Sequence, residues 1–488
     1  MPTHNSKELN ENFILEYESF LKQHLFPLLG IVNRDIKRDI IFSVHFKSAM
    51  IQNDSHIYFG YNGCRIFSLE YPVLIPADSL RLARLILQRF FYIAEYRRTG
   101  SARNNYYFSD EQRNSVHSMA VQKGICDWVA WVPGDKKADD DSRERIEKLF
   151  VKLEKWAVKT YEGKNVTLGF VIDPATKTDP QNTYGSWLDF LDDDCSSLLT
   201  DCIHSVIELD RHCNFLEYKS ISESGAIESC ALQNAIPLRF MHIVQKYVTD
   251  KKIGVFLLNN GDIILAKKQR VCFVKRNLRW LNLSYEAFES ALEPFIEQND
   301  ETDSKSFRNL LSSVFASVLD VSFSHAGGII AVVGGNEWKK HTDMHAGGSA
   351  LLDPCDNLLN EQSCKSLKTF KMDGLENLPR NEIDLKEREV NKRLQKRVVL
   401  LNLIRGKDFI SMDRKLRSEL IGLDGACILD YTGNVYSYGA IIQNDSGSTG
   451  GGRGAAAKKL SKYGLAVKVS TDGYIELYVN GECIYEIK

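Results

Sequence analysis

Apolar residues recur at helical spacing between positions 8 and 30, where Phe13, Ile14, Tyr17, Phe20, Leu21 and Leu25 share one face. This stretch predicts an amphipathic helix. The period then shortens to two. The segments IIFSVHF (40–46) and HIYFGYNGCRIFSLEY (56–71) read as strands, the second folding back at Asn62-Gly63, a favoured hairpin dipeptide. Helical spacing returns from Ala77 to Tyr96, opened by Pro76 and Asp78 and closed near Gly100, and again from Arg143 to Tyr161. The strand NVTLGFVID (165–173) comes next, and the turn-rich ATKTDPQNTYG (175–185) marks a boundary.

From about 200 to 300 strands dominate: CIHSVIEL (202–209), IGVFLLNNGDIILAKK (253–268) with a hairpin at Asn259-Asn260-Gly261, and VCFVKRNLRWLNL (271–283). An apolar helix, Ile236 to Val248, covers one face of this small sheet. Beyond Ser304 the pattern predicts a helix over Asn309–Val321, a glycine turn and buried strand in SHAGGIIAVVGG (324–335), a polar insertion from Asn336 to about Asn381, and a helix from Glu387 to Arg405. The expected fold class is a mixed α+β chain. Its regions are 1–195, an α+β segment without assigned role; 196–303, a small sensor-like α+β domain; and 304–488, a mixed sheet covered by helices.

Composition narrows the functional classes. The 488 residues carry 62 Lys+Arg against 64 Asp+Glu, a net charge of -2, which lacks the basic footprint of a dedicated nucleic-acid binder. The polar N-terminus and short apolar runs predict a cytoplasmic protein without a membrane span. The 11 cysteines are odd in number and scattered, which argues for reduced thiols. Cys195, Cys202, His204, His212 and Cys213 contain enough soft ligands for zinc, but the spacing fits no standard knuckle, and small packed thiols are the preferred reading. The basic clusters Lys267–Arg270 and Lys275–Trp280 admit a stacking and phosphate-contacting surface; a solvated strand face with Trp280 in the core is preferred.

The chemistry lies after Arg414. Asp424 precedes Gly425 and Ala426 at a strand start; taken alone the pair reads as an ordinary turn, and together with the loop below it can hold a divalent metal and draw a proton from a sugar hydroxyl. Gly425 and Ala426 leave space there for a flat base or ribose. The run Ser446 to Ala457 includes Ser448, Thr449, Gly450, Gly451, Gly452, Arg453 and Gly454 and opens a helix. Its free N–H groups and small side chains suit a phosphate, and Arg453 adds a fixed cation. The run is not a P-loop, since GxxxxGK[ST] is absent.

Three segments in this order, VSFSHAGGIIAVV (321–333), LRSELIGLDGACILDYTGNVYSYGA (416–440) and STGGGRGAAAKKLSKYGLAVKVSTDG (448–473), make residues 306–485 resemble the diadenylate cyclase domain, in the branch with an N-terminal sensor-like region. The resemblance implies a homo-oligomer whose C-terminal domains face each other, each holding one ATP, and condensation of two ATP to cyclic di-AMP with release of pyrophosphate. It implies that Asp424 binds Mg2+ or Mn2+ and activates the hydroxyl, and that Thr449, Gly451 and Arg453 cradle the triphosphate. Tyr438, Gly439 and Ala440 then pack around the adenosine, and Asp472 stands where many members have a second acid. One departure is plain: the family's loop arginine is followed by histidine, whereas Arg453 is followed by Gly454 and Ala455. A register shift of one residue instead puts Arg453 in the place of that histidine. Lys458, or Lys339, Lys340, His341 or His345 of the insertion, are the candidates to replace the missing group. The alternative reading is a degenerate member that binds a nucleotide without turnover.

Overall fold

The computed structural model describes residues 11–31, 35–42, 48–53, 55–71, 75, 77–100, 110–131, 139–176, 187–193, 196, 199–221, 236–283, 285–298, 303–335, 338, 358, 380–404, 407–442 and 451–487. These fall into two compact units, Met1–Leu232 with Arg239–Ala287, and Gln233–Leu238 with Phe288–Lys488. The chain is mixed α+β, as its pattern predicts.

In the first unit, helix α1 (Glu11–Phe20) continues through a π-helical turn, Leu21–Leu25, into Phe26–Leu29, and ends where Gly30 turns left-handed. It buries the predicted stripe, Phe13, Ile14, Tyr17, Phe20, Leu21 and Leu25. A four-stranded antiparallel sheet comes after it, β1 (Lys37–Phe42), β2 (Met50–Gln52), β3 (His56–Tyr61) and β4 (Cys64–Glu70), in the order β1-β4-β3-β2. Asn62 and Gly63 both take positive φ between β3 and β4, as the hairpin requires. Helix α2 (Ala77–Gly100) packs on α3 (Asp110–Ala130), and α4 (Asp140–Ala157) is next in the chain. The sequence pattern did not predict α3. Its polar N-terminal half hides the period, and its burial is concentrated at Ala120, Val121, Ile125, Cys126, Trp128 and Val129. Gly124 allows the close approach: a Cβ there would stand 2.4 Å from Ile86 Cγ1.

The second sheet has seven strands. They are β5 (Leu168–Asp173), β6 (Ser205–Asp210), β7 (Phe215–Ser220), β8 (Ile253–Leu257), β9 (Ile263–Lys267), β10 (Arg270–Arg276) and β11 (Arg279–Asn282), ordered β11-β10-β9-β8-β5-β6-β7. The short helix α5 (Met241–Tyr247) lies between β7 and β8 in the chain. β5 pairs with β8 on one side and β6 on the other, so the ladder crosses residue 195. The expected division into 1–195 and 196–303 is therefore corrected: β5, which precedes residue 195, sits in the middle of a sheet whose other six strands all come after it.

The two basic clusters resolve into separate ion pairs. Lys268 reaches Asp78 at 2.7 Å, Arg270 pairs with Glu286 at 2.5 Å, Lys275 with Glu154, and buried Arg276 with Asp262 at 2.7 Å. Trp280 is 7% exposed and meets Phe150 edge-on at 5.5 Å. Trp280 lies in the core as expected, but the expected solvated strand face is corrected: Lys267, Lys275 and Arg276 are buried, and the paired cations sit against neighbouring acids. In the cysteine and histidine group, His204 bonds Asp201, His212 bonds Asp141, and Cys202 and Cys213 are buried; Cys195 lies outside the described residues. Burial pushes the Cys202 thiol up to about 12. No group of three or more His, Cys, Asp or Glu among the described residues is arranged to hold a metal.

The second unit is built on a six-stranded sheet. The chain enters it along α6 (Tyr285–Glu297) and α7 (Ser304–Ser324), then forms β12 (Gly328–Val333), α8 (Arg380–Ile404) and α9 (Arg414–Ile421). It ends with β13 (Ala426–Asp430), β14 (Val435–Ala440), α10 (Gly451–Leu460), β15 (Gly464–Val469), β16 (Ile475–Val479) and β17 (Glu482–Ile487). The strand order is β14-β13-β12-β15-β16-β17, with β12 and β13 parallel and the other neighbours antiparallel. Asp303 and Asp413 cap α7 and α9, each accepting from backbone N–H groups of the first turn. Residues Ala456, Ala457 and Leu460 of α10 pack on Ile329, Ala331, Ala426 and Ala466 of the sheet. Small side chains on both sides let the helix sit close to the strands.

The first unit also carries a pH dependence. Burial holds the His24 ring at about 4, below its ordinary 6.5, with His117 and Arg279 adding repulsion. The ring stacks on Phe20 at 5.7 Å and meets His117, which bonds Glu16, at 5.3 Å. A depressed folded-state value means the neutral ring stabilises the fold above about pH 6.5, and that contribution is lost as pH falls towards 4. The urea midpoint of the full chain is expected to drop between pH 7 and pH 4.5, and to drop less in His24→Phe; parallel curves would contradict this.

Candidate functional site

The parallel pair β12 and β13 brings two loops to one end of the sheet. After α7 the chain turns through His325, which is left-handed at φ 54°, and Gly327 at φ 65° before entering β12. After α9 it bends through Leu423, Asp424 and Gly425 before entering β13. The helix α10 begins beside them, and the turn after β15 completes the wall. A cleft of about 580 Å³ opens there, lined by Asp424, Gly425, Arg453, Lys468, Ser470 and Thr471, with Ile329, Ala440, Ile441, Ile442, Ala456, Gly451 and Gly452. This volume lies within the roughly 300–1,000 Å³ usual for small-molecule sites.

Asp424 and Arg453, remote in sequence, therefore share one cavity. Asp424 is exposed and Arg453 half-buried. The guanidinium rests over Gly327, where a Cβ would stand 2.8 Å from its Nη1 and 3.2 Å from Thr471 Cγ2. Any side chain at Gly327 would both strain a positive φ and push the arginine from its place. Among the described residues nothing lies within 4 Å of an added Cβ at Gly451 or Gly452, and both glycines, at the N-terminus of the ten-residue α10, line the cleft.

Gly425 has a different reason from the one its sequence suggested. At φ 110° its Cβ would stand 2.4 Å from Gly439 C and 2.7 Å from Ala440 O. The room beside it is filled by β14 backbone rather than left for a base. Ala426 is buried in the sheet, paired with Ile329 and Ala440. Tyr438 is 1% exposed and its hydroxyl meets Met412 Sδ at 3.4 Å; it lies in the core and does not line the cleft. The Gly439 carbonyl accepts from Lys396 Nζ of α8 at 2.9 Å. Of the expected adenosine-packing group, Ala440 alone lines the cavity. Asp472 sits exposed in the turn, outside the lining, while its neighbours Ser470 and Thr471 belong to it. Gly454 is buried on the inner side of α10. Ser448, Thr449 and Gly450 lie outside the described residues, as do Lys339, Lys340, His341 and His345. Lys458 is exposed on α10 and stands 6.0 Å over the Tyr478 ring, away from the cleft lining.

The sequence reading missed Lys468, Ile329, Ile441 and Ile442. Lys468 was findable. It is the one charged residue in the strand Gly464–Val469, and the strand period of two places it on the face shared by Ala466 and Ser470.

The cleft is held by the end of α7. His325 Nδ1 donates to Thr471 O at 3.0 Å, and Ser322 Oγ donates to Gly473 O at 2.5 Å, fixing the turn after β15. One helical turn earlier, Asp320 accepts from Arg414 Nε at 2.7 Å and Nη2 at 2.9 Å, from Leu238 N at 2.7 Å and from Ser418 Oγ at 3.3 Å. Burial raises the Asp320 carboxyl above its ordinary range, against the pull of Arg414.

A single carboxylate in the cleft fits a divalent metal only if a substrate supplies further oxygens. That is the usual way Mg2+ is bound, through one or two carboxylates and the phosphates of a nucleotide. No helix among the described residues is long and apolar enough to cross a membrane. No family model, curated protein or solved structure matches the chain.

Removing Asp320 leaves Arg414, only 10% exposed, as an uncompensated buried cation, which typically costs about 3–5 kcal/mol. Asp320→Ala is expected to lower the urea midpoint accordingly; a midpoint equal to that of the unaltered protein would show the pair to be dispensable.

Proposed function

We propose that this protein is a cytoplasmic nucleotidyl cyclase of the diadenylate cyclase type, condensing two ATP into cyclic di-AMP and two pyrophosphates under control of its N-terminal regions. The observation that carries the reading is the convergence of Asp424, Arg453 and the N-terminus of α10 on one cleft. An acid, a fork-shaped cation and the positive end of a helix suit a metal-bound triphosphate.

Each part has a role. Asp424 holds the divalent cation, Mg2+ or Mn2+, which when bound neutralises phosphate charge and makes the ribose 3′-hydroxyl easier to deprotonate. Arg453, steadied over Gly327, binds phosphate oxygens and offsets the charge that grows on them. The positive end of the α10 dipole, at Gly451 and Gly452 in the lining, favours the same anion. Ile329, Ala440, Ile441 and Ile442 form the apolar wall for a flat base. One 3′-oxygen bonds to the α-phosphorus of the other nucleotide, the bond to the pyrophosphate oxygen breaks, and the hydroxyl proton leaves through Asp424 to solvent. The mirrored step closes the ring. A cleft of this size holds one nucleotide, so two copies of the chain must face each other for the reaction.

A second reading, binding without turnover, draws on one specific observation: Gly454 places no side chain on the first turn of α10, beside Arg453. The two readings separate in one assay. Full-length protein with ATP and Mn2+ is expected to release pyrophosphate and form a cyclic dinucleotide. Asp424→Asn and Arg453→Ala are each expected to lower the rate roughly 10²- to 10³-fold while leaving the unfolding free energy from urea titration within about 1 kcal/mol of the original. Thermal stabilisation by ATP without product would favour the binding reading, and neither effect would reject both.

A further inference from the structure

A single row of residues crosses the second unit's sheet beneath the cleft. Glu476 of β16 pairs in register with Lys468 of β15, Lys468 with Ile329 of β12, Ile329 with Ala426 of β13, and Ala426 with Ala440 of β14. Paired positions of neighbouring strands project to the same side of the sheet. Lys468 thus rises between the apolar floor at Ile329 and the inner surface of α10, and it lines the cleft.

Its surroundings explain how a lysine is tolerated there. Nζ donates to Glu476 Oε2 at 2.8 Å, and the Tyr478 hydroxyl donates to the same oxygen at 2.7 Å. Burial and the adjacent carboxylate hold the Tyr478 phenol above its ordinary range, so it remains a donor. The Lys468 side chain is 19% exposed and that of Glu476 10%. An ammonium has three N–H donors, and the bond to Glu476 occupies one of them. Above it, Gly454 keeps the inner side of α10 clear: even an added Cβ at Gly454 would stand 3.9 Å from Nζ. A larger side chain there would extend over the ammonium and shield it from the cleft.

We infer that Lys468 is a second phosphate-binding cation of this cleft, seated by Glu476 and Tyr478 and given access by Gly454. The inference deepens the nucleotide reading above and rests on it for the identity of the ligand; the shared chemistry is a polyphosphate. Arg453 meets the anion from the helix and Lys468 from the sheet, so the phosphates are gripped from two elements. With Gly454 in place of a side chain, the second positive group near the phosphates comes from the strand rather than from the helix.

The test is calorimetric titration of the full chain with Mg2+-tripolyphosphate, MnATP and adenosine. Lys468→Gln is expected to weaken tripolyphosphate and ATP roughly 10- to 100-fold, the usual worth of a hydrogen bond to a charged group, with shallower salt dependence and unchanged adenosine affinity. Lys468→Arg is expected to recover most of the loss. The double variant Lys468→Gln/Glu476→Gln keeps a neutral hydrogen-bonded pair and guards against a folding defect; it is expected to lose the same affinity. Unaltered tripolyphosphate affinity in both glutamine variants would overturn the role of Lys468. The two proposals fail separately. Lys468-dependent tripolyphosphate binding without any ATP binding would sink the cyclase reading and keep Lys468. ATP condensation that ignores Lys468→Gln would do the reverse, and a protein that binds neither ligand would end both.

Discussion

The buried pair of Asp320 and Arg414 fixes where the two loops of the cleft meet. Asp320 lies one turn before the end of α7, and Arg414 opens α9. α7 delivers the His325–Gly327 turn and anchors the turn after β15; α9 delivers Asp424. With the two helices locked by a two-point ion pair, the loops beyond them have little freedom in register. Burial of the carboxylate is costly enough to raise its proton affinity even with a guanidinium beside it. Such a pair contributes geometry more than net stability. The added bonds from Ser418 Oγ and from Leu238 N complete the coordination of the acid, which is what a buried charge demands.

Placement as well as pairing separates structural cations from available ones, since Lys468 is paired with Glu476 and still lines the cleft. Lys268, Arg270, Lys275 and Arg276 of the first unit each sit against a named carboxylate, and their basic runs dissolve into local pairs once folded. Arg453 is placed differently. It lies over a glycine and beside a threonine methyl, in an open cleft at a helix N-terminus. A cation so placed is poised for an anion that arrives from outside, and glycine at 327 preserves the seat.

Much of this was legible in the chain. The amphipathic stripe of Phe13 to Leu25, the Asn62-Gly63 hairpin and the apolar strand at Ile329 to Val333 carry strong local periodicity, and each forms as its spacing demands. Helix α3 was not legible, because its buried positions crowd into one end and its partner surface, α2 at Ile86, is remote. The boundary at residue 195 failed for a related reason: β5 joins strands that come later, and long-range pairing leaves no mark on a local pattern. At the site, Asp424 and Arg453 were legible as chemistry, but their neighbours were not. Gly425 serves strand packing, and Tyr438 serves the core. Lys468 was legible as the lone charge of its strand, but its place beside Ile329 comes through long-range sheet register, which local spacing does not encode.

The most direct measurement is the anomalous signal of manganese in a crystal of the full chain grown with Mn2+ and a non-hydrolysable ATP analogue. The account expects a manganese peak beside Asp424 and the phosphates against Arg453, within one cleft. Ordered metal and nucleotide bound together elsewhere, with Asp424 and Arg453 in contact with neither, would contradict it.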